Sequence, residues 1–192
     1  MTNSKYLFLT WDDVQSLSEE VADKIKEDDF HADLLIAVSR GGFDPARIMS
    51  DQLDIRKLAS LQVVYYTGVN ETKKEPEILY QLNATIKGLK VLVVDDVSDS
   101  GNSLKVVKEY VQNLGAKDVR VVTLHYKPWS GYKPDYYGEE VDKWIIYPWE
   151  PRESLLNLYE MLRSDGSDNS EARYKLLQIG FNEHQVARYL GI

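Results

Sequence analysis

Four short runs of nearly continuous apolar residues recur along the chain, at 33–38, 61–66, 90–95 and 119–125. Apolar residues at consecutive rather than alternate positions suit strands buried on both faces of a parallel sheet. Between the runs the spacing changes to three and four. Residues 11–27 place Val14, Leu17, Val21 and Ile25 on one helical face, 44–53 form a second candidate, and 103–114 align Leu104, Val107 and Val111. Strands alternating with helices predict an α/β fold, a central mainly parallel sheet flanked by helices and joined by right-handed crossovers. Sheets of this kind bind ligands beyond the carboxyl ends of their strands, so the residues that follow each strand are the first to inspect.

Two stretches fall outside this alternation. Residues 68–84 are polar, contain Pro76 and several charges, and read as a long mobile loop between two strands. After Pro151 the pattern turns wholly helical, at 153–163, 170–179 and 182–190, broken by Ser164-Asp165-Gly166-Ser167 and by Gly180. The expected organisation is a main domain over 1–150 and a C-terminal helical appendage over 151–192.

Composition narrows the chemistry. The chain has no cysteine, which excludes disulfides, thiolate metal sites and cysteine nucleophiles and favours a reducing, cytoplasmic setting. The start lacks a basic region followed by an apolar run, and no stretch is long and apolar enough to span a bilayer. A net charge of −8 and a pI near 5.0 oppose an extended nucleic-acid partner, although a few amides and one metal ion can still hold a small anion locally. The expectation is therefore small-molecule substrates, no nucleic acid and no membrane. His31, His125 and His184 have no ligand spacing and receive no role.

The most informative segment is Val91-Leu92-Val93-Val94-Asp95-Asp96-Val97-Ser98-Asp99-Ser100-Gly101-Asn102-Ser103-Leu104, an apolar strand ending in acids and small polar residues before a helix. Ser100, Gly101, Asn102 and Ser103 are small enough for backbone amides to close around a phosphate at the helix N-terminus, where unpaired N–H groups and the helix dipole favour an anion. Asp95 and Asp96 can accept from a sugar diol or hold a Mg²⁺ ion that keeps several of its waters. Asp99 is left to face a reacting base. An ordinary polar βα turn also favours Asp and Ser, but three aspartates with three small polar residues around one glycine exceed what a cap requires. Ser39-Arg40-Gly41-Gly42, after another strand, adds a glycine-rich turn that admits close approach of an anion, with Arg40 as a clamp.

Together these segments, with Lys127-Pro128 and Trp144-Ile145-Ile146-Tyr147-Pro148-Trp149-Glu150, resemble the type I phosphoribosyltransferases, in particular the bacterial xanthine-guanine (6-oxopurine) branch, from about Asp33 to Glu150. The chain departs from that family's Asp-Thr-Gly-Gly-Thr loop by Ser100, Asn102 and Ser103, which retain both hydroxyls but replace a glycine. The resemblance implies the type I fold and transfer of a 5-phosphoribosyl group from its pyrophosphate donor to hypoxanthine, guanine or xanthine, with Mg²⁺. It implies that Ser39, Arg40, Gly41 and Gly42 grip pyrophosphate, Asp95 and Asp96 bind the ribose hydroxyls and the metal, and Asp99 to Ser103 hold the 5′-phosphate. It also gives Asp99 the proton of the purine imidazole ring, Lys127 the 6-oxygen, and Trp144 and Ile145 the ring face and a main-chain contact. Lys73 or Lys74 on the mobile loop would reach pyrophosphate, and a homodimer or higher homo-oligomer is the family's usual assembly. Two alternatives stay open: an adenine phosphoribosyltransferase on the same scaffold, and a phosphoribosyl-pyrophosphate-responsive regulator, because the tail 176–192 resembles the first part of a helix-turn-helix. The excess of acids over bases after Pro151 speaks against the second.

Overall fold

The computed structural model describes residues 5–67 and 74–191. Along the chain run β1 (Tyr6–Phe8), α1 (Trp11–Glu27), β2 (Leu34–Ser39), α2 (Phe43–Gln52), β3 (Leu58–Thr67), β4 (Lys74–Tyr80), β5 (Lys90–Ser98), α3 (Asn102–Asn113), β6 (Asp118–Tyr126), β7 (Tyr136–Glu140), β8 (Trp144–Ile146), α4 (Pro151–Ser164), α5 (Asn169–Ile179) and α6 (Glu183–Leu190). By compactness the chain divides into Val14–Asp142, the sheet unit, and Met1–Asp13 with Lys143–Ile192, the helical unit.

The sheet unit holds a six-stranded sheet in the order β4-β3-β2-β5-β6-β7. All neighbours are parallel except β3 and β4. The four apolar runs form its centre, and Val91, Leu92, Val93 and Val94 of β5 are each 0% exposed, as residues covered on both faces must be. Leu104, Val107 and Val111 of α3 seal one face against Ile36, Val38, Val91, Val93 and Val121. Helix α1 starts where Thr10 and Asp13 cap each other: the Thr10 amide donates to Asp13 Oδ2 at 2.8 Å and the Asp13 amide to Thr10 Oγ1 at 3.2 Å.

One expectation is corrected. The segment 68–84, expected to be a loop, contains β4, which pairs antiparallel with β3 from Gln62↔Tyr80 to Thr67↔Lys74. Pro76, which argued against a strand, lies on the edge of the sheet, where a missing N–H costs no ladder bond. Lys73 lies outside the described residues, and Lys74 opens β4.

In the helical unit β1 pairs in parallel with β8, and α4, α5 and α6 close a core of Ile146, Leu155, Leu158, Leu176, Phe181 and Val186. Phe8 meets Phe181 edge-on with ring centres 5.1 Å apart. Asp168 caps α5, and Asn182 and Gln185 form a reciprocal capping box on α6. The sequence pattern divides the chain at Pro151. The contacts divide it at Lys143, because β8 supplies Ile146 to the helical core. Among the described residues no helix is long and apolar enough to cross a membrane.

Ile36 is fully buried in the centre of β2. Ile36→Ala should lower unfolding free energy by about 2–5 kcal/mol, read as a lower urea midpoint at unchanged slope.

Candidate active site

The unequal lengths of β2 and β5 set the position of the site. The two strands pair from Leu34↔Val91 to Ala37↔Val94, whereas β5 continues against β6 as far as Ser98↔Tyr126. After Val94, therefore, β5 runs on while β2 turns away through Ser39, Arg40, Gly41 and Gly42 into α2. The opening holds Asp95 and Asp96 on one side and the glycine turn on the other. A Cβ on Gly41 would collide with the Asp96 carboxylate, 2.7 Å from Oδ1 and nearer still to Oδ2, so any other residue there would displace that carboxylate. The Ser39–Arg40 peptide is cis. The Ser39 hydroxyl donates to the Leu61 carbonyl at 3.0 Å, tying the end of β2 to β3 instead of pointing at a ligand as a donor. Arg40 is exposed.

Beyond the acids lies a cavity of about 440 Å³, lined by Tyr65, Asp95, Val97, Ser98, Asp99, Ser100, Gly101, Asn102, Ser103 and Leu104. Seven of the residues expected to bind one ligand thus border two adjoining features of one strand end: Asp95 and Asp99 to Ser103 line the cavity, and Asp96 lies against the glycine turn. Gly101 is the N-cap of α3, with φ 79° and no side-chain cap. Glycine is required there both for the left-handed backbone and because a Cβ would lie 2.6 Å from Tyr132 Cβ and 2.7 Å from Ser130 Oγ. Helix α3 therefore presents its first turn to the cavity with small side chains and a dipole that favours an anion. Asn102, the departure from the expected glycine, is the first residue of α3, a position any residue can occupy, and its amide donates to Ser100 Oγ at 3.3 Å.

Burial raises both acids, and the neighbouring charge adds to the effect on Asp95. Asp95 is held well above the ordinary carboxylate range, first by burial and then by the charge of Asp96. Asp96 is pushed up to about 6, with burial the largest cause. Two such carboxylates gain from a cation or a diol. Among the described residues no cluster of three or more His, Cys, Asp or Glu can hold a metal ion by itself. Two hard oxygen donors at an open strand end fit Mg²⁺, which keeps waters and takes further ligands from a bound substrate.

Asp99 is exposed and accepts a hydrogen bond from Trp129 Nε1 at 3.2 Å. Lys127 is only 5% exposed. Burial lowers its pKa, while Asp99 and Asp142 oppose that effect. Its ammonium lies 5.5 Å from the centre of the Trp129 ring. His125 is pushed down to about 4 by burial and then by the charge of Lys127, so it is neutral near pH 7.

Trp144 and Ile145 belong to β8 of the helical unit. Trp144 is 43% exposed, with its amide bonded to the Lys5 carbonyl, and Ile145 is buried. Sequence reasoning missed Tyr65 and Trp129. The Tyr65 hydroxyl accepts from Ser103 Oγ at 2.9 Å and lies 3.4 Å from Ser100 Oγ, so it touches both loop hydroxyls. Tyr65 lies near the end of β3 and Trp129 three residues past β6, and an aromatic residue near a strand end is their only signal.

Residues 10–154 match the family described as the phosphoribosyl transferase domain. Xanthine-guanine phosphoribosyltransferase of Ruegeria sp. (strain TM1040) is 30% identical over 160 residues, 78% of this chain and 88% of that protein. The crystal structure of a purine phosphoribosyltransferase from Pyrococcus horikoshii superposes with a TM-score of 0.69 at 36% identity, covering 76% of this chain and 93% of the other. A hypothetical protein from Neisseria gonorrhoeae, solved with bound ppGpp, gives 0.70 at 28% identity over 78% and 92%.

The raised acids make stability depend on pH. The unfolded chain ionises Asp96 near 3.8 and the folded one near 6, so the protonated form favours folding and its contribution is lost as pH rises through that window. Asp96→Asn should therefore raise stability at pH 7.5 by up to about 3 kcal/mol and leave it nearly unchanged at pH 3.5, compared in melting curves at the two pH values.

Proposed function

The chain belongs to the phosphoribosyl transferase family, and from that membership we propose that it moves the 5-phosphoribosyl group of 5-phosphoribosyl 1-pyrophosphate onto a 6-oxopurine, giving the nucleoside monophosphate and pyrophosphate. As a phosphoribosyltransferase it is a pentosyltransferase. The observation that carries the choice of substrate is the carboxylate of Asp99 and the buried ammonium of Lys127 beside a cavity of phosphate-binding character. An ammonium has three donors and no acceptor. It satisfies the 6-oxygen of hypoxanthine, guanine or xanthine, whereas the 6-amino group of adenine would oppose donor to donor in a partly dry site. The ppGpp held by the Neisseria relative joins a 6-oxopurine to diphosphate groups, the two chemistries the proposed site combines.

In the proposed roles, the first turn of α3 with the Ser100 and Ser103 hydroxyls receives the 5′-phosphate. Asp95 and Asp96 accept from the ribose hydroxyls and hold Mg²⁺, which when bound neutralises charge on the departing pyrophosphate. Gly41 and Gly42 let backbone approach that group, and Arg40 adds charge. As the bond from C1 to the pyrophosphate oxygen breaks, positive charge grows on the ribose ring, and the carboxylates near it lower that cost. A purine imidazole nitrogen forms the new bond to C1, and Asp99 takes the proton the ring must lose. Trp144 and Ile145 enter as base-binding residues through the resemblance alone. The enzyme is proposed to act in the cytoplasm as a homo-oligomer.

Incubation with the phosphoribosyl donor, Mg²⁺ and each of hypoxanthine, guanine, xanthine and adenine should yield nucleotide from at least one oxopurine and little from adenine; efficient use of adenine alone would reverse the assignment of Lys127. Asp99→Asn should cut kcat by about 10²-fold while donor binding, followed by calorimetry, changes little.

A further inference from the structure

We propose that Trp129 is a positioning residue that sets both the Asp99 carboxylate and the Lys127 ammonium for the base, an inference that rests on the roles proposed for those two residues. One indole bridges them. Its Nε1–H, which can only donate, fixes Asp99 Oδ1 at 3.2 Å and so leaves the second oxygen for the purine ring. Its π face lies 5.5 Å from Lys127 Nζ and offers a buried ammonium some of the negative potential that burial removes.

Trp129 is 58% exposed, so packing does not hold it in place. The backbone does. The Lys127 amide donates to the Ser98 carbonyl at 3.1 Å, and the Gly131 amide to the Ser100 carbonyl at 3.0 Å. These bonds fasten both ends of the Lys127–Gly131 segment to the residues on either side of Asp99. Between them the Ser130 amide returns to the Lys127 carbonyl at 2.9 Å, a β-turn with Pro128 and Trp129 at its centre. The buried Ser98 hydroxyl adds a contact to Ser130 Oγ at 2.9 Å and to the Tyr132 carbonyl at 2.7 Å. Asp99 and Trp129 thus sit opposite each other in two short turns laced together, and an exposed tryptophan in so rigid a turn is a poor surface residue unless its ring is used.

Steady-state kinetics on Trp129→Phe and Trp129→Ala, with an oxopurine that the wild-type protein uses, separate the two contacts. Trp129→Phe keeps a π face and loses the donor, so kcat should fall about fivefold with both KM values held within about twofold. Trp129→Ala also removes the platform, so KM for the oxopurine should rise about fivefold while KM for the phosphoribosyl donor stays put. In an Asp99→Asn background, Trp129→Phe should add no further loss of kcat, because its effect passes through that carboxylate. Wild-type values in both Trp129 variants, or an undiminished loss in the Asp99→Asn background, would overturn the inference and leave the proposed reaction standing. A wild-type protein that makes no nucleotide from any oxopurine would remove the reaction itself, and with it the role of Trp129.

Discussion

A parallel strand that outruns its neighbour opens a gap in the sheet, and here β5 passes β2 by the length of Asp95 to Ser98. That offset brings two carboxylates, a glycine turn and a helix N-terminus to one place without any of them being a loop in free solvent. The cost is electrostatic. Asp95 and Asp96 lie partly buried side by side, and both are pushed toward the neutral form. Such a pair is a poor structural element and a good receptor for a hydroxyl pair or a divalent cation. The Asp96 carboxylate occupies the space that a side chain at Gly41 would fill.

The chain as a whole is acidic, at −8, yet the proposed substrate is a polyanion. Local features reconcile the two. Backbone dipoles at α3, the Ser100 and Ser103 hydroxyls and Arg40 act within a few ångströms, a distance over which the net charge of the molecule matters little beside them. The base end of the site is proposed to work differently, with one buried ammonium reading a carbonyl and one carboxylate handling a proton, both aligned by a single indole.

The central strands and every helix were legible in the sequence because burial on two faces and on one face leave periods of one and 3.6 residues. The run 11–27 coincides with α1 for that reason. Strand β4 was not legible: it is an edge strand that begins with charged residues around Pro76 and has apolar residues only at its last three positions, too few to show a strand period. The placing of the Asp95 to Ser103 segment at a strand end before a helix was legible because an apolar run stops at the acids and helical spacing resumes after the small residues. Tyr65 and Trp129 were not, since an aromatic side chain at a strand end or turn has many uses, and only the hydrogen bonds from Ser103 and to Asp99 select one. That the Ser39 hydroxyl serves β3 was also invisible until β2 and β3 were paired.

The central claim is that the overhanging end of β5 receives the phosphoribosyl donor together with a divalent cation. Calorimetric titration of 5-phosphoribosyl 1-pyrophosphate into the protein, with and without Mg²⁺, reads this directly. In the wild-type protein Mg²⁺ should tighten binding by about tenfold or more, and in Asp95→Asn with Asp96→Asn that gain should vanish while the fold persists. Donor binding that Mg²⁺ strengthens equally in both proteins, or that neither protein shows, would contradict the claim.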